Sequence, residues 1–147
     1  MRVLLDANVL LDCLVLEGSG LPRIGKAASE QVLELCDQGL HEGLIAWHTL
    51  PILAYYHGRQ NQPADTAAML DGLLLVLQVP VVGHAEAASW RTTSLSDFED
   101  ALQVVCASAG RADIIITRNT DDFAASAIPV MTPEDFLTAI FAPGIET

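Results

Sequence analysis

The run Asp113-Ile114-Ile115-Ile116-Thr117 constrains this chain more than any other stretch. Three consecutive β-branched isoleucines suit a β-strand, and because successive side chains of a strand point to opposite faces, both faces of this one are apolar. Such a strand must be covered on both sides, which is the situation of a parallel sheet lying between layers of helices.

The remainder of the chain alternates accordingly. Arg2 to Leu5 reads as a short strand ending at Asp6, and Asn8 to Leu16 has helical spacing. After a loop containing Gly18, Gly20 and Pro22, a helix is expected from about Gly25 to Leu40, with Ala28, Val32, Leu35 and Cys36 on one face. Gly43 to Trp47 reads as a second strand, followed by helices over His48 to His57 and Pro63 to Leu77. Val79 to Val82 is a third strand weakened by Pro80. Helices near Ala85 to Arg91 and from Asp97 to Ala109 precede the isoleucine strand; an edge strand at Ile128 to Met131 and a helix over Thr132 to Ile140 close the chain. Strands alternating with helices predict an α/β fold with a central, mainly parallel sheet, with the first strand central and the isoleucine strand beside it. A length of 147 residues suits one domain, expected to run over 1–147.

Open α/β sheets bind ligands beyond the carboxyl ends of their strands, so the polar residues there are the first candidates for chemistry. Asp6 ends the first strand, and Arg118-Asn119-Thr120-Asp121-Asp122 follows the isoleucine strand. A third cluster, Asp97-Phe98-Glu99-Asp100, opens the helix before that strand. Ser96 with Glu99 fits a capping box, and Asp97 suits the positive end of the helix dipole. Asp100 lacks such an explanation: it heads the stripe Asp100, Val104, Ala107, whose other members face the core, and a lone carboxylate there needs a partner or a metal. Asp6 serves equally as the N-cap of the first helix, and Asp121 and Asp122 as a solvated turn.

Charge argues in the other direction. The net charge is −12, from 19 acidic and 7 basic residues, and phosphate binding ordinarily rests on clustered Lys and Arg. Arg118, beside the acids, and Arg111 are the basic residues to consider for contact with a phosphate backbone, the alternative being ordinary surface arginines, which Arg111 suits better. Cys13, Cys36 and Cys106 stand singly, which predicts a reducing compartment rather than a disulfide framework. Without a signal-like segment or a run of roughly 20 apolar residues, a cytoplasmic protein with no membrane association is expected.

Three segments, LLDANVLLD at the start, DFEDALQ in the second half and IIITRNTDDF near the end, resemble the PIN-domain ribonucleases, particularly the group containing the VapC-like toxins of bacterial toxin–antitoxin pairs. The likeness runs in order along nearly the whole chain, to IPVMTPEDFL. It implies a compact three-layer α/β/α sandwich, a metal-dependent endoribonuclease using Mg²⁺ or Mn²⁺, an RNA substrate, an antitoxin partner and a homodimer. Carried over by position, Asp6, Asp100 and Asp122 are the catalytic acids, and Asn119 joins them as a metal ligand. Asp97 and Arg118 are auxiliary candidates.

The resemblance breaks at one point. The family usually carries a Glu on the helix after the second strand; that position falls near Ile52 here, in a helix without any acid. Asp97, Asp12 or water would have to supply the missing oxygen, with His48 a substitute ligand or a capping or core residue. A degenerate PIN domain that binds RNA or protein without cutting is the first alternative. A haloacid-dehalogenase-like phosphatase is the second, opposed by the lone lysine, Lys26, which is not near the later acids in sequence. Trp47, Tyr55 and Tyr56 are expected to pack rather than to stack on bases.

Overall fold

A computed structural model describes residues 1–143. Five strands, β1 (Arg2–Leu5), β2 (Glu42–Leu44), β3 (Leu77–Gln78), β4 (Ile114–Ile116) and β5 (Val130–Met131), form one sheet in the order β3-β2-β1-β4-β5. Every pairing is parallel, and Val3, Leu4 and Leu5 of central β1 register against Ile114, Ile115 and Ile116 of β4. The expected position of the isoleucine strand is therefore observed.

Strand alternation sorts the core into two layers. Val3, Leu5, Ile114 and Ile116 point to one face, where they pack with Val9, Leu10, Val32, Leu53, Leu73 and Phe136. These come from α1 (Ala7–Leu14), α2 (Lys26–Asp37), α3 (Thr49–Gly58), α4 (Pro63–Val76) and α7 (Pro133–Phe141). Leu4 and Ile115 point the other way, against Leu95, Ala101, Val104, Ala107 and Phe123. Here α6 (Phe98–Ala109) makes the covering layer, with α5 (His84–Ala88) packed beside it, so the chain is an α/β/α sandwich with unequal sides. No helix among the described residues is long and apolar enough to cross a membrane.

The third strand differs from expectation. It lies at Leu77–Gln78 rather than Val79 to Val82, because Pro80 has no N–H to give the ladder. The first turn of α6 differs too. Asp97, not Ser96, is the N-cap, and its Oδ1 accepts from the Asp100 amide at 3.0 Å. Glu99 is thereby released from the capping box assigned to it. The exposed aromatics are a further correction: Trp47, just after β2, is 66% exposed and Tyr55, on α3, 61%.

Gly43 marks where β2 and β3 meet α2. A methyl group there would strike Leu77 and lie 3.0 Å from Cys36 Sγ. Gly43→Ala is therefore expected to cost about 1–3 kcal/mol by overpacking, measured as a lowered midpoint in urea at unchanged slope.

Candidate active site

Asp6 is the geometric centre of the site. Its backbone N–H donates to Ile116 O at 3.0 Å, continuing the β1–β4 ladder by one residue, and the chain then turns into α1. The carboxylate is 4% exposed and accepts four hydrogen bonds. Oδ1 receives Ala7 N at 2.7 Å and Gln103 Nε2 at 3.0 Å; Oδ2 receives Thr117 Oγ at 2.8 Å and Asn8 Nδ2 at 3.2 Å. Burial nevertheless outweighs these donors and, with the charge of Asp122 adding to it, raises the Asp6 pKa above the ordinary value. Asp6 is thus the N-cap of α1 and a buried carboxylate at the carboxyl end of the sheet.

The other acids arrive from different elements. Asp100 sits in the first turn of α6, partly buried, and its pKa is pushed up to about 6, first by desolvation and then by the charges of Asp97, Asp6, Asp122 and Glu99. Asp122 is exposed on the short 3₁₀ turn Thr120–Phe123 after β4. Asn119, also exposed, precedes that turn, and its backbone N–H donates to Thr117 Oγ at 3.1 Å. Asp6, Asp100 and Asp122 therefore act on one another electrostatically across elements far apart in sequence. Among the described residues no three His, Cys, Asp or Glu side chains are arranged to hold one metal ion between them.

Three residues of this site escaped the sequence reading. Glu99 has its pKa raised by desolvation, then by the charges of Asp6 and Asp97, which turns a residue read as a cap into a neighbour of the central acid. Gln103, fully buried, links Asp6 to Thr49 Oγ of α3 at 2.9 Å. Thr117 is fully buried as well. Helical spacing from Glu99 to Gln103 was the available signal, since residues four apart share a face.

Arg118 belongs elsewhere. Its Nε donates to Asp12 Oδ2 at 2.7 Å, Nη2 donates to Gly25 O at 2.7 Å and Ser29 Oγ at 2.8 Å, and Nη1 pairs with Glu134. The side chain is therefore engaged with α1, α2 and α7 and is not a free cation for RNA. Asp12, 4% exposed, is held by Arg118, Ser29 Oγ at 2.8 Å and Arg23 Nε at 2.9 Å, so it does not supply the missing oxygen. Asp97 is committed to its cap. Arg111 follows α6 at the amino end of β4, away from the acids. His48 Nε2 is buried without a hydrogen-bond partner, and burial lowers the pKa of the ring; the side chain does not cap α3. Lys26 pairs with Glu30 and donates to Cys13 O at 3.3 Å, which removes the cation a phosphatase reading needs.

A parallel sheet whose central strand ends on a buried aspartate, with further acids brought in by a helix start and by the turn after the neighbouring strand, defines an α/β protein with an acid-lined site at the sheet's carboxyl end. Within that class the chain belongs to the PIN domain family, whose model matches residues 2–121. Solved structures of similar fold include VapBC2 from Rickettsia felis bound to a DNA fragment from their promoter, at 16% identity and a TM-score of 0.61, covering 90% of this chain and 98% of that one. VapBC-1 from nontypeable Haemophilus influenzae aligns at 13% identity and a TM-score of 0.66, over 91% of this chain and 99% of that one. FitAcB from Neisseria gonorrhoeae aligns at 17% identity and a TM-score of 0.57, over 90% and 98%. No curated protein sequence shows a significant match.

Proposed function

We propose that this chain is a divalent-metal-dependent endoribonuclease, the toxin of a toxin–antitoxin pair. The observation that carries the reading is the mutual influence of Asp6, Asp100 and Asp122, delivered by three separate elements to the carboxyl end of the sheet. The donor chemistry fits Mg²⁺ or Mn²⁺: every candidate ligand is a hard oxygen, and one buried amide oxygen beside Asp6, on Gln103, has no partner. Mg²⁺ usually keeps several waters and takes only one or two carboxylates, so a hydrated ion suits a site without a three-acid cage.

Asp6, Asp100 and Asp122 would share a hydrated ion, in part through its waters, with Asn119 at the rim. When bound it supplies Lewis acidity toward phosphate and water and neutralises charge that the 7 basic residues do not. Asp6 is fixed in orientation by its four donors. Four of the basic residues, Arg2, Arg23, Lys26 and Arg118, are already in ion pairs, so RNA affinity rests on the acid-bound cation more than on side-chain charge.

The VapBC and FitAcB neighbours support pairing with an antitoxin protein. Tyr55, Tyr56, Leu74 and Leu75, exposed on α3 and α4, provide apolar surface for such a partner or for a second copy of the chain. A cytoplasmic location accords with the three free cysteines. Cleavage of a mixed RNA pool is expected with Mn²⁺ or Mg²⁺, none with EDTA, and none by Asp6→Asn. A wild type that neither cleaves nor gains thermal stability from Mn²⁺ would favour the alternative that α3, with Ile52 where the family has Glu, raises: a PIN domain that binds without cutting.

A further inference from the structure

Resting on the metal-dependent reading above, we infer that Gln103 belongs to the cation site: its amide nitrogen holds Asp6, and its carbonyl oxygen supplies the neutral ligand oxygen in place of the acid that α3 lacks. Gln103 is 0% exposed, and Nε2 donates both its hydrogens, to Asp6 Oδ1 at 3.0 Å and to Thr49 Oγ at 2.9 Å. Oε1 is buried and accepts nothing. An unmatched amide oxygen in the interior is costly, and the neighbouring positions Ala101, Val104 and Ala107 show that this part of α6 is otherwise apolar. Turning the amide round does not relieve it. That orientation would set Oε1 against Asp6 Oδ1, two acceptors facing each other.

The position of Oε1 follows from the bond it flanks. The oxygen and nitrogen of a planar amide lie about 2.2 Å apart, so Oε1 is no more than about 5 Å from Asp6 Oδ1. Metal–oxygen bonds of about 2.0–2.1 Å would let a hydrated Mg²⁺ beside Oε1 meet the neighbouring acids through its waters. Asp100 lies three residues before Gln103 on α6, a spacing that places both on adjacent parts of one helix face. Amide carbonyls are accepted ligands for hard divalent cations. The bridge to Thr49 also ties the first turn of α3 to Asp6, where a carboxylate from α3 is missing.

The test is Mn²⁺ titration by calorimetry on the full chain, with thermal denaturation in EDTA run beside it, for wild type, Gln103→Leu and Gln103→Glu. Gln103→Leu is expected to weaken Mn²⁺ binding by about 10–100-fold, the range seen when groups that orient metal ligands are removed. Gln103→Glu is expected to bind Mn²⁺ at least as tightly as wild type while melting lower in EDTA, because it sets a second charge beside Asp6. A purely structural glutamine, its oxygen satisfied by a trapped water, would move the EDTA melting temperature and leave Mn²⁺ affinity in place. Affinity of Gln103→Leu within about twofold of wild type, against that 10–100-fold expectation, overturns the inference. If the leucine variant does not fold, the glutamate variant decides, and weaker Mn²⁺ binding there overturns it. A wild type that takes up no Mn²⁺ overturns the metal-dependent reading itself, so the two failures are distinguishable.

Discussion

Asp100→Asn is expected to abolish both RNA cleavage and Mn²⁺-induced stabilisation, while the metal-free variant is at least as stable as wild type at pH 7. The substitution keeps shape and removes a charge. Among the described residues the Asp100 side chain makes no hydrogen bond or ion pair within the protein, so no structural contact is lost. The sign of the pH effect follows from the direction of its pKa, raised from 3.8 to about 6. A carboxyl whose folded pKa exceeds its unfolded value binds protons more tightly when folded, so the metal-free fold loses stability as pH rises from about 4 through 6. Asn cannot ionise and escapes that loss. Because the group is only partly buried and solvent screens its charge, the gain at pH 7 is below about 1 kcal/mol and vanishes near pH 4. Thermal melts in EDTA at both pH values check this, and a variant less stable than wild type by the same amount at each would assign Asp100 a structural role instead.

Arg118→Met is expected to produce the largest loss of stability, about 3–5 kcal/mol, because it leaves the buried Asp12 carboxylate with fewer partners. In wild type, burial works to raise the Asp12 pKa, but hydrogen bonds from Arg23, Arg118 and Ser29 overturn that and hold it below the ordinary value. A depressed pKa gives stability that is present above the unfolded value of about 3.9 and is lost as pH falls through and below it. The penalty of Arg118→Met should therefore shrink in acid, an effect of opposite sign to the gain from Asp100→Asn, which fades in acid as well. Denaturation at pH 7 and pH 3 measures it. If Arg118 instead gripped RNA phosphates, the variant would keep its stability and show a shallower salt dependence of RNA binding.

Arg118, singled out beside the acids, shows how far sequence adjacency carries. Arg118 stands between Thr117 and Asn119, both at the site, yet its side chain leaves toward Gly25 and lies so close that a methyl group on Gly25 would collide with it. Residues next to each other at a strand's end diverge because successive side chains point to opposite faces, and only the packing of α2 and α7 determines which partners wait on the far side. Glu99 gives the converse case. The S-x-x-E pattern fits a local rule, but Asp97 takes the cap one residue later, and the helix rotates Glu99 toward Asp6.

By itself the sequence determined the sheet and the placement of its acids. Strand alternation, uninterrupted isoleucines and acids at strand ends are local patterns, and hydrophobic burial forces them into one arrangement: Val3 and Leu5 to one layer, Leu4 to the other, Asp6 at the edge. What only the tertiary structure decided is which polar groups complete the site. Gln103 reaches Asp6 across 97 positions, Thr117 across 111, and Arg118 reaches Asp12 across 106. Such pairings carry no periodic signature, because hydrogen bonds are short and directional and depend on where packed helices finally stop. Burial is also what gives them weight: once water is excluded, each unmatched donor, acceptor or charge becomes costly, and the partners that remain decide the chemistry.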